Sequence, residues 1–149
     1  MATIKPFDHS VIETYLLEQD LNYLKDRDGD FQVRFNYDED LGCALTIWFI
    51  MTNSIYRVQA VTDKPIPRQD WGKALMLCNT WNQNKRWPKA YLNIKDPETD
   101  QNGFIMLEEH IDLAEGIHQE LFNDWTRTVI SAASSFWMWA NKEQGLFDN

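Results

Sequence analysis

The sequence predicts an α+β domain: an antiparallel five-stranded sheet with helices packed on one face, in the order α-β-β-β-α-β-β-α. Three observations carry this expectation. Phe31 to Tyr37 alternates apolar and polar residues with the period of a half-buried strand. Two apolar runs, Cys43 to Thr52 and Ile55 to Thr62, are separated only by Asn53-Ser54, which reads as a hairpin turn. From about Gly116 to Lys142, apolar residues recur at helical spacing. Successive strands ahead of a crossover helix favour an antiparallel sheet with its apolar face against the helices.

The first helix is expected from about Asp8 to Leu24, capped by Asp8 or Ser10, with Val11, Ile12, Tyr15, Leu16, Gln19 and Tyr23 on one stripe. Asp26 to Asp30 and Asp38 to Gly42 read as turns on either side of the first strand. In the hairpin, Thr52 opposes Ile55, Ile50 opposes Arg57, Trp48 opposes Gln59 and Thr46 opposes Val61 on one face. The other face (Leu45, Ile47, Phe49 and Met51 with Tyr56, Val58 and Ala60) is wholly apolar and must meet the helices. Pro65 and Pro67 end the third strand. The second helix starts near Asp70 and stops before Pro88. Trp71, Leu75, Cys78 and Asn82 form its stripe, with Ala74 and Trp81 beside it. Lys89 to Lys95 alternates again, Ala90, Leu92 and Ile94 against Lys89, Tyr91 and Asn93. A turn-rich loop, Asp96 to Gly103, leads to the fifth strand, Phe104 to Glu109 or His110. On the last helix Ile117, Leu121, Trp125, Val129, Ala132, Phe136 and Trp139 make the stripe, widened by Phe122, Ala133 and Trp137.

At 149 residues the chain fits one domain. Seven Trp, eight Phe and five Tyr predict an aromatic core, in which each large side chain fully buried contributes about 1.5–3 kcal/mol. Fourteen basic and 23 acidic residues give a net charge of −9. That balance disfavours nucleic acid and anionic membranes, and the cluster Lys85, Arg86 and Lys89 is small. Cys43 and Cys78 sit in apolar stretches outside any CxxC motif, so two buried reduced thiols are expected. Residues 1–8 have no apolar signal-like run, and no apolar run approaches the ~20 residues that span a bilayer. The expectation is a soluble cytoplasmic protein.

The candidate chemistry is thin. Asp26, Asp28 and Asp30 suggest a calcium loop, but Phe31 falls where glycine is required and Tyr37 where the bidentate glutamate belongs. His9, His110 and His118 lack metal spacing; Glu108 and His110 share a strand face, and ordinary surface placement is the better reading. No GxSxG, P-loop or GxGxxG pattern occurs. No catalytic residue, metal or cofactor is therefore expected. The densest stretch runs from Asn79 to Lys89. Asn is a poor helix former, so Asn82 in mid-helix needs a reason: a hydrogen bond to buried or edge backbone, in preference to a ligand pocket at Trp81, Asn82 and Arg86.

The sheet face opposite the helices is the better candidate. It carries Trp48 and Ile50 and is expected to carry Tyr91, rimmed by Arg57, Gln59 and Lys89. An apolar centre with a polar rim is the anatomy of an interface. The competing expectation is that the 96–102 loop, or the tail with Leu146 and Phe147, folds over it. The function expected is a non-enzymatic protein-binding module, using this face for a homodimer or another protein. The alternative is a small-ligand sensor with a pocket near the second helix.

Leu77-Cys78-Asn79-Thr80-Trp81-Asn82, then Arg86-Trp87-Pro88-Lys89-Ala90-Tyr91-Leu92, then Glu115-Gly116-Ile117 give the chain a resemblance to the YbjN-like family. Members of that family are described as bacterial sensory transduction regulators, and their fold is similar to that of type III secretion chaperones. The resemblance spans nearly the whole chain, and its many Trp look like the cyanobacterial and plastid branch. It implies a type III secretion chaperone-like fold and a regulatory or chaperone-like role, often as a homodimer. It supplies no catalytic residues.

Overall fold

In the computed structural model, which describes residues 3–147, Asp8 starts the first helix as expected. β1 (Ile4–Lys5) precedes α1 (His9–Glu18), and the Asp8 carboxylate accepts from the Ser10 backbone N–H at 2.9 Å. α1 buries Val11, Ile12, Tyr15 and Leu16. It stops well short of Leu24, because Asp20 turns left-handed at φ 54°. The Leu21 N–H then bonds the Leu16 carbonyl at 3.0 Å, and the Asp20 N–H bonds that of Leu17 at 3.1 Å. This is a helix stop usually marked by Gly or Asn.

Beyond it, β2 (Leu24–Lys25) pairs with β3 (Phe31–Asp38), and β4 (Cys43–Thr52) and β5 (Ile55–Thr62) continue the meander. The hairpin register is the one read from the sequence, with Trp48 opposite Gln59 and Ile50 opposite Arg57. β6 (Ile66–Pro67) leads through a 3-10 turn into α2 (Trp71–Lys85). β7 (Lys89–Asn93) and β8 (Asn102–Asp112) form a second hairpin, and β8 pairs with β5 on its other side. β9 (Ile117–His118) pairs with β1, and α3 (Gln119–Met138) ends in a π-helical turn, Trp139–Glu143.

The main sheet has seven strands, not five. The additions, β2 and β6, are two-residue pieces too short to show alternation. The last helix also begins later than Gly116. Gly116 has φ 85°, and a Cβ there would lie 2.6 Å from the Lys5 carbonyl oxygen. Glycine thus lets β1 lie against the chain entering β9.

The three helices bury their apolar faces against Phe31, Leu45, Ile47, Phe49, Tyr56, Val58, Ala60 and Leu107, all on one face of the sheet. The buried Tyr56 hydroxyl meets Thr126 Oγ1 at 2.7 Å, so its polar tip is satisfied inside the core. Two helix stripes are rotated from those expected. α2 buries Ala74, Leu77, Cys78 and Trp81, and Leu75 is 52% exposed. α3 buries Phe122, Thr126, Val129, Ala133, Phe136 and Trp137, and Leu121 is 55% exposed. Where Leu121 and Phe122 are adjacent, the ring goes inward and the leucine stays out, because the larger apolar area gains more from burial.

Candidate functional site

The strand register builds the uncovered face in rows. Gln32, Trp48, Gln59, Glu108 and Lys89 oppose one another across five strands. Beside them run Thr46, Val61, Met106 and Tyr91, and on the other side Ile50, Arg57 and His110. Trp48, Ile50, Arg57, Val61, Met106 and Tyr91 are all half-buried, and Phe104 is exposed. Tyr91 therefore shares the face of Trp48 and Ile50. Of the two segments expected to compete for this face, the tail is engaged elsewhere. Leu146 is buried in the helix-side core and Phe147 packs against it. The loop after β7 is held by Arg68, which donates to the carbonyls of Pro97 at 2.9 Å and Asp100 at 2.6 Å.

Glu108 lies at the centre of the face, only 6% exposed. The Tyr91 hydroxyl donates to its Oε1 at 2.5 Å, and Gln59 Nε2 reaches the same oxygen at 3.5 Å. The Arg57 guanidinium is 3.9 Å from Oε2, and Arg57 Nε is buried with no hydrogen-bond partner. Burial, then the bond to Glu108, pushes the Tyr91 hydroxyl up to about 12. Surface placement of Glu108 is thus corrected: long neighbouring side chains close over the carboxylate. His110, on the same face, is exposed. Among the described residues no group of three His, Cys, Asp or Glu side chains is placed to hold a metal ion.

Trp81, Asn82 and Arg86 do not converge on one pocket. The Asn82 amide donates to the Ala90 carbonyl and accepts from the Ala90 N–H, both at 2.9 Å, completing the free edge of β7. Arg86 is exposed and ends α2 at φ 65°. Trp81, 5% exposed, donates its indole N–H to the Pro88 carbonyl at 2.8 Å. It also lines a groove of about 720 Å³ between α2 and α3, together with Trp87 and Trp139; Asn82 and Arg86 do not line it. Adjacency in sequence suggested a shared site, but successive residues on a helix point in different directions. Cys43 and Cys78 are free and buried, and burial pushes their thiols up to about 11 and about 12. Among the described residues no helix is long and apolar enough to cross a membrane.

These features define an α+β domain with helices on one face of an antiparallel sheet and an open, half-apolar face around a buried carboxylate. The chain matches the YbjN family, described as "Putative bacterial sensory transduction regulator", over residues 8–140, and it belongs to that family. It is similar in structure to YbjN from E. coli, whose crystal structure is described as that of a putative transcription regulator. The TM-score is 0.74 over 95% of this chain and 96% of that one, at 12% sequence identity. Likeness at that identity shows a shared fold. No curated protein matched the chain.

Proposed function

We infer that the protein is a non-enzymatic regulatory module that acts by binding protein through its open sheet face, in the first place a second copy of itself. One observation carries this reading. The face joins half-buried Trp48, Ile50, Val61, Met106 and Tyr91 around a buried carboxylate. Its strand positions hold three cations (Arg34, Arg57, Lys89) and two anions (Glu108, Asp112), or +1 in a chain of −9. Two copies meeting elsewhere bring like charges together, whereas contact through this face avoids that repulsion. A two-fold contact uses the same patch twice, so a self-complementary mix of signs suits it. Aromatic anchors among polar residues are the groups that dominate interface energetics. The family description supports the regulatory role, and the buried, raised-pKa thiols suit a reducing cytoplasm.

The test is the double variant Trp48→Lys with Ile50→Glu, followed by sedimentation and circular dichroism. The reading expects a dimer for the unmodified protein and a folded monomer for the variant. A folded variant that keeps its dimeric state sinks the reading. Loss of fold would mean that these side chains belong to the core.

A further inference from the structure

We propose that the groove between α2 and α3 is a second site, and that it binds a neutral carbohydrate of several pyranose rings. It is separate from the open sheet face and stands whether or not that face binds protein.

The groove measures about 720 Å³, within the range of small-molecule sites. Its accessible aromatic walls are the half-buried indoles of Trp87 and Trp139. The buried Trp81 ring packs behind Trp139, 6.3 Å away with planes tilted by 40°. Trp87 is also stacked on Trp125, with ring centroids 6.1 Å apart. That packing fixes the ring before any ligand arrives, which lowers the ordering cost of binding.

The rest of the lining is polar: Thr80, Asn84, Lys85, Ser135, Glu143 and Gln144, against only Leu77 and Ala132 as further apolar residues. This balance decides the ligand class. A lipid or a plain aromatic ring would use the indoles and leave Thr80, Asn84, Lys85, Glu143 and Gln144 without a bond to the ligand, whereas Ser135 already donates to the Ser131 carbonyl at 3.1 Å. Covering such groups unpaired costs free energy wherever water is excluded. A phosphorylated ligand would gain Lys85 but face Glu143 and the −9 of the chain. Amides and hydroxyls both donate and accept, Lys85 donates and Glu143 accepts. A pyranose presents the matching partner: an apolar C–H face for an indole, and an edge of hydroxyls that donate and accept.

The probes are maltotriose, cellotriose and tri-N-acetylchitotriose, titrated while following tryptophan fluorescence and, independently, heat. At least one should give a saturable change in both. Trp139→Ala should weaken that binding about tenfold or more, the scale of one lost well-packed contact. Because Trp139 also touches the core ring of Phe136, a second variant combines Asn84→Ala and Gln144→Ala, both at exposed positions. It should weaken the same sugar while leaving the unfolding midpoint unchanged. Trp48→Lys with Ile50→Glu should leave sugar binding intact, which separates this site from the open face. No saturable binding of any of the three sugars overturns the proposal, and so does binding that survives both groove variants. Binding of indole, but of none of the sugars, in the same groove would assign it to an aromatic ligand instead.

Discussion

Glu108 is a carboxylate on a sheet face that no helix covers, yet it is nearly inaccessible. Strand alternation places it correctly on the polar side; its burial depends on Tyr91 and Gln59 from the strands either side and on the Arg57 side chain, which no local pattern reveals. Trp48, Ile50 and Arg57 were legible because a two-residue turn fixes the register of the whole hairpin. Tyr91→Phe removes the donor nearest the buried carboxylate and leaves Oε1 only the long contact from Gln59, so the variant should lose about 1 kcal/mol of stability or more near neutral pH. The pH dependence has a definite sign. The Tyr91 hydroxyl is raised from 10.0 to about 12 in the folded protein, so its neutral form is the one the fold favours. Its contribution is fully present below the unfolded value and is lost as pH rises through the folded value. Denaturant midpoints of the two proteins should therefore differ at neutral pH and converge at strongly alkaline pH. Equal midpoints at neutral pH would show that the hydroxyl does nothing for the carboxylate.

At the scale of elements, strands were easier to read than helices. A strand's two faces follow from parity alone, and β3, β4, β5 and β7 run close to where alternation put them. α2 carries Trp71, Ala74, Leu75, Met76, Leu77, Cys78 and Trp81 around much of its circumference, so its inward direction is set by tertiary packing. The end of α1 was hidden because Asp20, an ordinary turn residue, takes the left-handed stop position. Asn82 ties the second helix to the second hairpin, and here a poor helix former has an identifiable reason to be present. Its amide meets both backbone groups of Ala90 and stands in for one peptide unit of a further strand. Asn82→Ala should cost about 1–3 kcal/mol by leaving that pair unmatched. The Ala90 amide should also exchange with solvent deuterium faster than in the unmodified protein. Unchanged exchange at Ala90 would show that the edge is protected by something other than Asn82.

For the whole molecule, the open face and the charge belong to one account. A net charge of −9 keeps copies apart, except where the surface offers a patch without excess negative charge. That patch coincides with the half-buried aromatic row, and raised salt should therefore strengthen self-association by screening the remaining repulsion. The measurement that bears most directly on this claim is hydroxyl-radical footprinting of the intact protein from dilute to concentrated solution. Trp48, Met106 and Tyr91 should lose reactivity together as concentration rises, and Trp87 and Trp139, in the groove on the helix side, should keep theirs. Unchanged reactivity at Trp48, Met106 and Tyr91 across the range, or protection confined to the helix side, would contradict the assignment of the open sheet face as the surface that binds protein.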